Sequence, residues 1–180
     1  EEERMKKFTP TEKQKQQRIH EGQIMQVAYA AADPAQNYIS GKFISPLPEQ
    51  DIGKLAITDP FGIWRIYSKD KKERDWHRGV DLRAAEGTPV SAINSGVVIL
   101  AAKGFLLEGN MVIIYHGLGI FSLYVHLSEI KVSQGLKVAA GQNIGLSGKN
   151  GARTTGPHLH FEVRDKIGRA VNPTLKIGKR

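Results

Sequence analysis

No cysteine occurs among the 180 residues, which excludes disulfides, thiolate metal sites and cysteine nucleophiles. It says nothing of compartment, since an exported bacterial protein can do without cysteine. No apolar run approaches the roughly 18 residues that a membrane-spanning helix needs. The Gly-x-Ser-x-Gly elbow of serine hydrolases is missing. GLSGKNG (145–151) departs from a phosphate loop, because Asn150 follows Lys149 where Ser or Thr is required and the glycine spacing is wrong. His20-Glu21 opens like a zinc-protease helix, but Ile24 stands where the second histidine belongs. A formal net charge of +8 suits a polyanionic partner such as nucleic acid, an acidic membrane face or an anionic cell wall, and equally suits solubility alone. Nucleic acid is not expected, because no basic strand face carries interleaved aromatics. The chain begins with Glu rather than Met and is read as a mature form from which any signal peptide is already gone.

Two regions are expected: an N-terminal helix and linker over 1–42, and one domain over 43–180. The first is polar, rich in Lys, Gln and Glu and then in Ala. Thr9-Pro10-Thr11-Glu12 reads as a helix start, with Thr9 as N-cap, Pro10 at the first helical position and Glu12 closing a capping box. Ile19, Met25, Val27 and Tyr29 would form its apolar stripe, Gly22 weakens its middle, and Asp33-Pro34 ends it. Beyond Phe43 come short β-branched and aromatic runs: GVVILAA (96–102), NMVIIYH (110–116), IFSLYVHLS (120–128) and HLHFEVRD (158–165). Glycine-bearing turn signals separate them, the longest being SGKNGARTTGP (147–157). Closely spaced strands without intervening helices predict a mainly β, antiparallel core.

Strand alternation sends Leu159, Phe161 and Val163 to one face and His158, His160 and Glu162 to the other. The same rule puts Ser122, Tyr124 and His126 opposite Leu123, Val125 and Leu127. Upstream, His77 and Asp81 are four apart. Gly79 between them, and the alternating Val80 and Leu82, favour a turn entering a strand over a helix. A histidine and an aspartate converging beside the histidine strand would make a nitrogen–oxygen zinc site. Catalytic zinc typically keeps three protein ligands, so four histidines and an aspartate leave two imidazoles for proton transfer and oxyanion stabilisation.

These blocks fall in a familiar order: His77-x-x-x-Asp81, GTPV at 87–90, GVV at 96–98, Gly109-Asn110, YVHLS at 124–128 and GPHLHFE at 156–162. Together they resemble the lysostaphin and LytM-type zinc peptidases, which cut peptide bonds in bacterial peptidoglycan. ITDPFGIWRIYS (57–68), with Phe61-Gly62 and Arg65, looks like that family's opening segment, and the likeness runs over about residues 57 to 173. The resemblance implies an antiparallel β-sheet peptidase core to which the N-terminal helix is an addition. It implies one Zn²⁺ per chain, held by His77, Asp81 and His160, with His126 and His158 as the two catalytic imidazoles. Asp81 would leave the site with net positive charge, which acidifies water and polarises a peptide carbonyl.

Asn110, Tyr124 and Thr155, the last in the glycine-rich loop, are expected to line the substrate groove. Glu162 is expected behind the ligands, since zinc-bound histidine commonly donates its other N–H to a carboxylate or carbonyl. His116 is read as structural, and Asn37 as a conceivable shielding ligand. The implied activity is a zinc endopeptidase acting on peptidoglycan cross-links or stem peptides; the alternative is a catalytically silent module of the same fold that regulates other wall hydrolases. A monomer is expected, exported to the periplasm or cell envelope, with a membrane anchor once attached at the N-terminus.

Overall fold

Alternating side chains with apolar residues on both faces require cover on two sides, and the chain supplies a different cover for each. The structure is a computed structural model and describes residues 10–47, 56–66 and 74–176. Its elements are α1 (Glu12–Ala30), β1 (Ile57–Asp59), β2 (Trp64–Ile66), β3 (Arg74–Trp76), β4 (Val80–Arg83), β5 (Pro89–Ser91) and β6 (Gly96–Phe105), followed by β7 (Gly109–Gly117) and β8 (Ile120–Leu127). Then come β9 (Glu129–Ile130), β10 (Lys137–Val138), β11 (Asn143–Leu146), β12 (His158–Arg164), β13 (Ala170–Val171) and the short α2 (Pro173–Lys176). No helix among the described residues is long and apolar enough to cross a membrane.

The four runs expected to be strands are β6, β7, β8 and β12, the centre of the main sheet. Its order is β1-β4-β12-β8-β7-β6-β10, with β13 beside β12, and every pairing is antiparallel. One face buries Val98, Val112, Ile114, Tyr124, Leu159, Phe161 and Val163 together with Val90 and Ile144 of the small β5-β11-β9 sheet. The opposite face buries Leu100, Met111, Ile113, Phe121, Leu123 and Val125 with Ala28 of α1. Burying apolar side chains on both faces is the main stabilising term, at about 25 cal/mol per Å².

α1 differs from its expected form at both levels. Its N-cap is Thr11, whose hydroxyl accepts from Gln14 N–H while the Gln14 side chain accepts from Thr11 N–H. The capping box therefore closes two residues later than expected, with Pro10 ahead of the cap; Thr9 lies outside the described residues. The buried face is also rotated. Ile19 and Val27 are 56% and 71% exposed, whereas Glu21 and Ala28 are buried and Ile24, Met25 and Tyr29 are half-buried against the sheet. Tyr29 meets Phe121 edge-on at 5.0 Å between ring centroids.

Asn37 bridges Gly117 at the far end of the β7–β8 hairpin from His126, and its side-chain oxygen accepts from Ile39 N–H. It is no shield over the histidines.

Two glycines test the packing. Space around Gly22 is open, so Gly22→Ala should stabilise the protein by about 1 kcal/mol through helix propensity. A Cβ on Gly79 would sit 2.4 Å from the Phe161 carbonyl oxygen, so Gly79→Ala should destabilise it by about 1–3 kcal/mol. Urea unfolding midpoints compared with the parent protein measure both.

Candidate metal centre

Strand β12 pairs with β4 on one side and β8 on the other, and this pairing assembles the site. His160 lies opposite Asp81 of β4 and opposite Val125 of β8. His77 enters from the turn between β3 and β4. That turn is fixed from the opening segment: His77 N–H donates to Ile63 O at 2.8 Å, and Gly62 N–H donates to His77 O at 2.8 Å. His77, Asp81 and His160 are buried, and each offers one ligand atom, all within 4.8 Å of one another.

Every imidazole here has one nitrogen engaged away from the centre. His77 Nδ1 lies 2.9 Å from Pro60 O; a carbonyl only accepts, so Nδ1 carries the proton and Nε2 turns inward with its lone pair. That Nε2 is 3.1 Å from Asp81 Oδ1 and 3.0 Å from His160 Nδ1. His158 Nδ1 donates to Gly156 O at 2.8 Å and His126 Nδ1 to Asn150 O at 2.7 Å, which leaves Nε2 as the nitrogen not bonded to backbone in both. The His126 ring centroid is 4.9 Å from that of His158 and 5.9 Å from that of His160. Five residues expected at the site thus converge.

His160 stands between two carboxylates, with Nδ1 2.8 Å from Asp81 Oδ1 and Nε2 2.9 Å from Glu162 Oε1. Burial disfavours its cation, but the hydrogen bonds to Asp81 and Glu162 outweigh burial and raise its pKa to about 9. Burial likewise opposes ionisation of Glu162, yet the His160 hydrogen bond and the Arg164 charge bring its pKa down to about 2. Arg164 holds the other Glu162 oxygen at 2.7–2.8 Å and lies over the Tyr29 ring of α1. Asp81 is kept well below the ordinary carboxylate range: burial resists this, but the hydrogen bond from His160 and the charges of His160 and Arg65 prevail. Burial, with the charges of His160 and His158, lowers the His126 pKa to about 3.

His126 reaches the site by a route that simple alternation misses. Asn110 pairs with Leu127 but Val112 with Tyr124, so β8 holds one extra residue opposite β7, a bulge of the kind that re-aims side chains beside active sites. His126 takes φ +66° there. Without the bulge it would share a face with Tyr124, as strand alternation predicts; with it, His126 turns to the His160 side and Leu127 rejoins the core.

Tyr124 consequently lies away from the groove in which it was expected. It is fully buried in a chain running from Ile93 N–H through the Tyr124 hydroxyl and Ser122 Oγ to His116 Nε2, so it is no groove residue. His116 spends its other nitrogen on Ser95 O, and burial lowers its pKa to about 4; it is a neutral structural histidine. Asn110 is half-buried with both ends of its amide engaged, accepting from Gly104 N–H and donating to Leu127 O. Thr155 is exposed in the glycine-rich loop.

Arg65 of the opening segment is a further partner of the site, which the sequence does not reveal. Its guanidinium bonds Asp81 Oδ2 and, at 2.8 Å, Asp59 Oδ2, so Asp81 keeps one oxygen for the histidines and gives the other to Arg65. A charged side chain two short strands away leaves no periodic signal in sequence.

The donor set fits a zinc ion. Two neutral-capable imidazole nitrogens and a carboxylate oxygen are ordinary zinc ligands, and bonds near 2.0–2.1 Å need ligand atoms about 3.3 Å apart, a few tenths of an ångström wider than these contacts.

Residues 75–173 match Peptidase family M23. The chain is 47% identical over 119 residues to "Peptidoglycan DD-endopeptidase ShyA" of Vibrio cholerae, covering 66% of this chain and 27% of that protein. It is 42% identical over 104 residues to "Murein hydrolase activator EnvC" of Escherichia coli, covering 57% of this chain and 24% of that one. The chain thus spans about a quarter of the length of these curated relatives. Among solved structures, a zinc containing peptidase from Vibrio cholerae superposes with a TM-score of 0.63 at 30% identity, over 81% of this chain and 41% of that one. The fold is the lysostaphin-like one expected from the sequence, and the chain belongs to peptidase family M23.

Proposed function

We propose that the chain is a zinc-dependent endopeptidase that hydrolyses peptide cross-links or stem peptides of bacterial peptidoglycan. The observation that carries this reading is the buried His77–Asp81–His160 cluster, its three ligand atoms within 4.8 Å, faced by two more imidazoles. His77 Nε2, an Asp81 oxygen and His160 Nδ1 would hold one zinc ion, which supplies Lewis acidity toward water and a peptide carbonyl. Glu162 orients His160 through Nε2–H, and Arg65 fixes the Asp81 carboxylate plane.

His126 and His158 work on the substrate through Nε2. The carbonyls of Asn150 and Gly156 hold the Nδ1 protons, so each Nε2 accepts a proton when neutral and donates a hydrogen bond when charged. Burial keeps His126 neutral at pH 7, so its Nε2 carries a lone pair. The pair provides the two roles that amide hydrolysis needs, proton removal from water and support of the developing oxyanion.

The 47% identity to a protein named a DD-endopeptidase supports the direct D,D cross-link as the bond cut, and the net charge of +8 suits an anionic wall. The site of action is accordingly the periplasm or cell envelope. The likeness to a protein named a hydrolase activator favours a second reading, a silent regulatory module. Against it stand all five site residues, which a binding role does not require. Metal content and digestion decide. The enzyme should carry about one zinc per chain and release cross-link products from purified sacculi, identified by mass; a chain that takes up no zinc is not this enzyme.

His126→Ala and His158→Ala should each lower turnover by about 10²–10⁴-fold at unchanged zinc content, measured by product release and metal analysis. Zinc loss alongside activity would show that the ligand set is different. Metal binding should also be pH-linked. With its pKa raised to about 9, His160 is protonated at pH 7 in the metal-free protein, so zinc must displace that proton. Calorimetry in buffers of different ionisation enthalpy should find about one proton released per zinc at pH 7 and affinity rising with pH toward 9.

A further inference from the structure

His126 sits at φ +66°, a conformation that costs a residue with a side chain on the order of 1–3 kcal/mol and persists only where surrounding contacts over-determine it. Two contacts do so here. His126 N–H donates to Glu108 O at 3.0 Å, and His126 Nδ1 donates to Asn150 O at 2.7 Å. Both carbonyls belong to turns: Glu108 to the β6–β7 turn and Asn150 to the glycine-rich loop.

The two turns are pressed together. Ala152 N–H donates to Leu106 O at 2.8 Å. A Cβ added to Gly109 would fall 2.4 Å from the Asn150 carbonyl carbon, and one added to Gly151 would fall 2.2 Å from Leu107 O and 3.1 Å from His126 Nδ1. A shift of the β6–β7 turn is therefore a shift of both carbonyls that set His126.

That turn is tied from outside by α1. Glu21 Oε1 accepts from Leu106 N–H at 2.9 Å and from Gln17 Nε2 at 2.7 Å. Glu21 is 6% exposed, on a helix lying wholly before the residues matched by the peptidase family. A buried carboxylate on the packing face of a helix is costly unless its hydrogen bonds are made; here the bond it makes holds the backbone of the turn.

We propose that Glu21 of the N-terminal helix is a positioning residue for the catalytic imidazole, acting on His126 through Leu106 and the two turns that hold it. This rests on the role given to His126 above. The helix is then part of the working site, and Glu21 acts as a hydrogen-bond acceptor rather than as a charge.

The test compares Glu21→Ala and Glu21→Gln in the whole chain, by the ¹⁵N signals of the His126 ring and by kcat and KM on purified sacculi. Glu21→Ala should move the His126 signals, leave zinc content and KM unchanged, and lower kcat roughly 10- to 100-fold. Glu21→Gln, which keeps the acceptor oxygen, should restore both signals and rate. Where Glu21→Ala does not fold, Glu21→Asp, one methylene too short, is expected to show the same His126 shift. Unmoved His126 signals in the Ala or Asp variant, or a Gln variant as impaired as Ala, would overturn the proposal. Failure of the unmodified protein to cut sacculi would instead overturn the peptidase reading, while the His126 spectrum still decides the role of Glu21.

Discussion

An imidazole presents its lone pair from a chosen nitrogen and in a fixed direction only if something holds its other nitrogen, and this site is built on that constraint. Pro60 O, Gly156 O, Asn150 O and the Glu162 carboxylate each take the outer nitrogen of one histidine. The four rings are thereby aimed at one buried point where Asp81 lies. Three of the four anchors are backbone carbonyls, so the fold itself, rather than further side chains, sets the direction of the lone pairs. Hence short turns matter more here than long strands: residues 60–63, 108 and 148–156 are the parts on which ring orientation depends.

Electrostatics closes the arrangement. Asp81 and Glu162 flank His160, while Arg65 and Arg164 take up the oxygens that the histidine does not use. Each of these two carboxylates is thus paired with both a histidine and an arginine, which offsets the cost of removing the charges from water. The positive charge on metal-free His160 occupies the position that a divalent cation would take over.

Much of this was legible in the sequence because period-two alternation holds where strands are regular. HLHFEVRD placed His160 and Glu162 on one face and Leu159, Phe161 and Val163 in the core, as found. Gly79 between His77 and Asp81 marked the turn into β4. The antiparallel β architecture followed from run lengths and glycine spacing. Alternation failed where the backbone leaves the period: the bulge at His126 separates it from Tyr124, and no local pattern marks a bulge whose left-handed residue is a histidine. Arg65–Asp81 and Glu21–Leu106 are contacts between elements distant in sequence, and only the assembled sheet reveals these partners. The misplaced helix cap has a simpler cause, since Thr9 and Thr11 both begin acceptable capping boxes.

The central claim is that three inward-turned ligand atoms, and not the remaining imidazoles, bind the metal. Anomalous diffraction at the zinc edge from crystals of the zinc-loaded protein tests it directly. The account predicts one peak per chain bonded to His77 Nε2, an Asp81 carboxylate oxygen and His160 Nδ1, with the Nε2 atoms of His126 and His158 facing it unbonded. A peak elsewhere, or one bonded to His126 or His158 in place of any of the three, would contradict it.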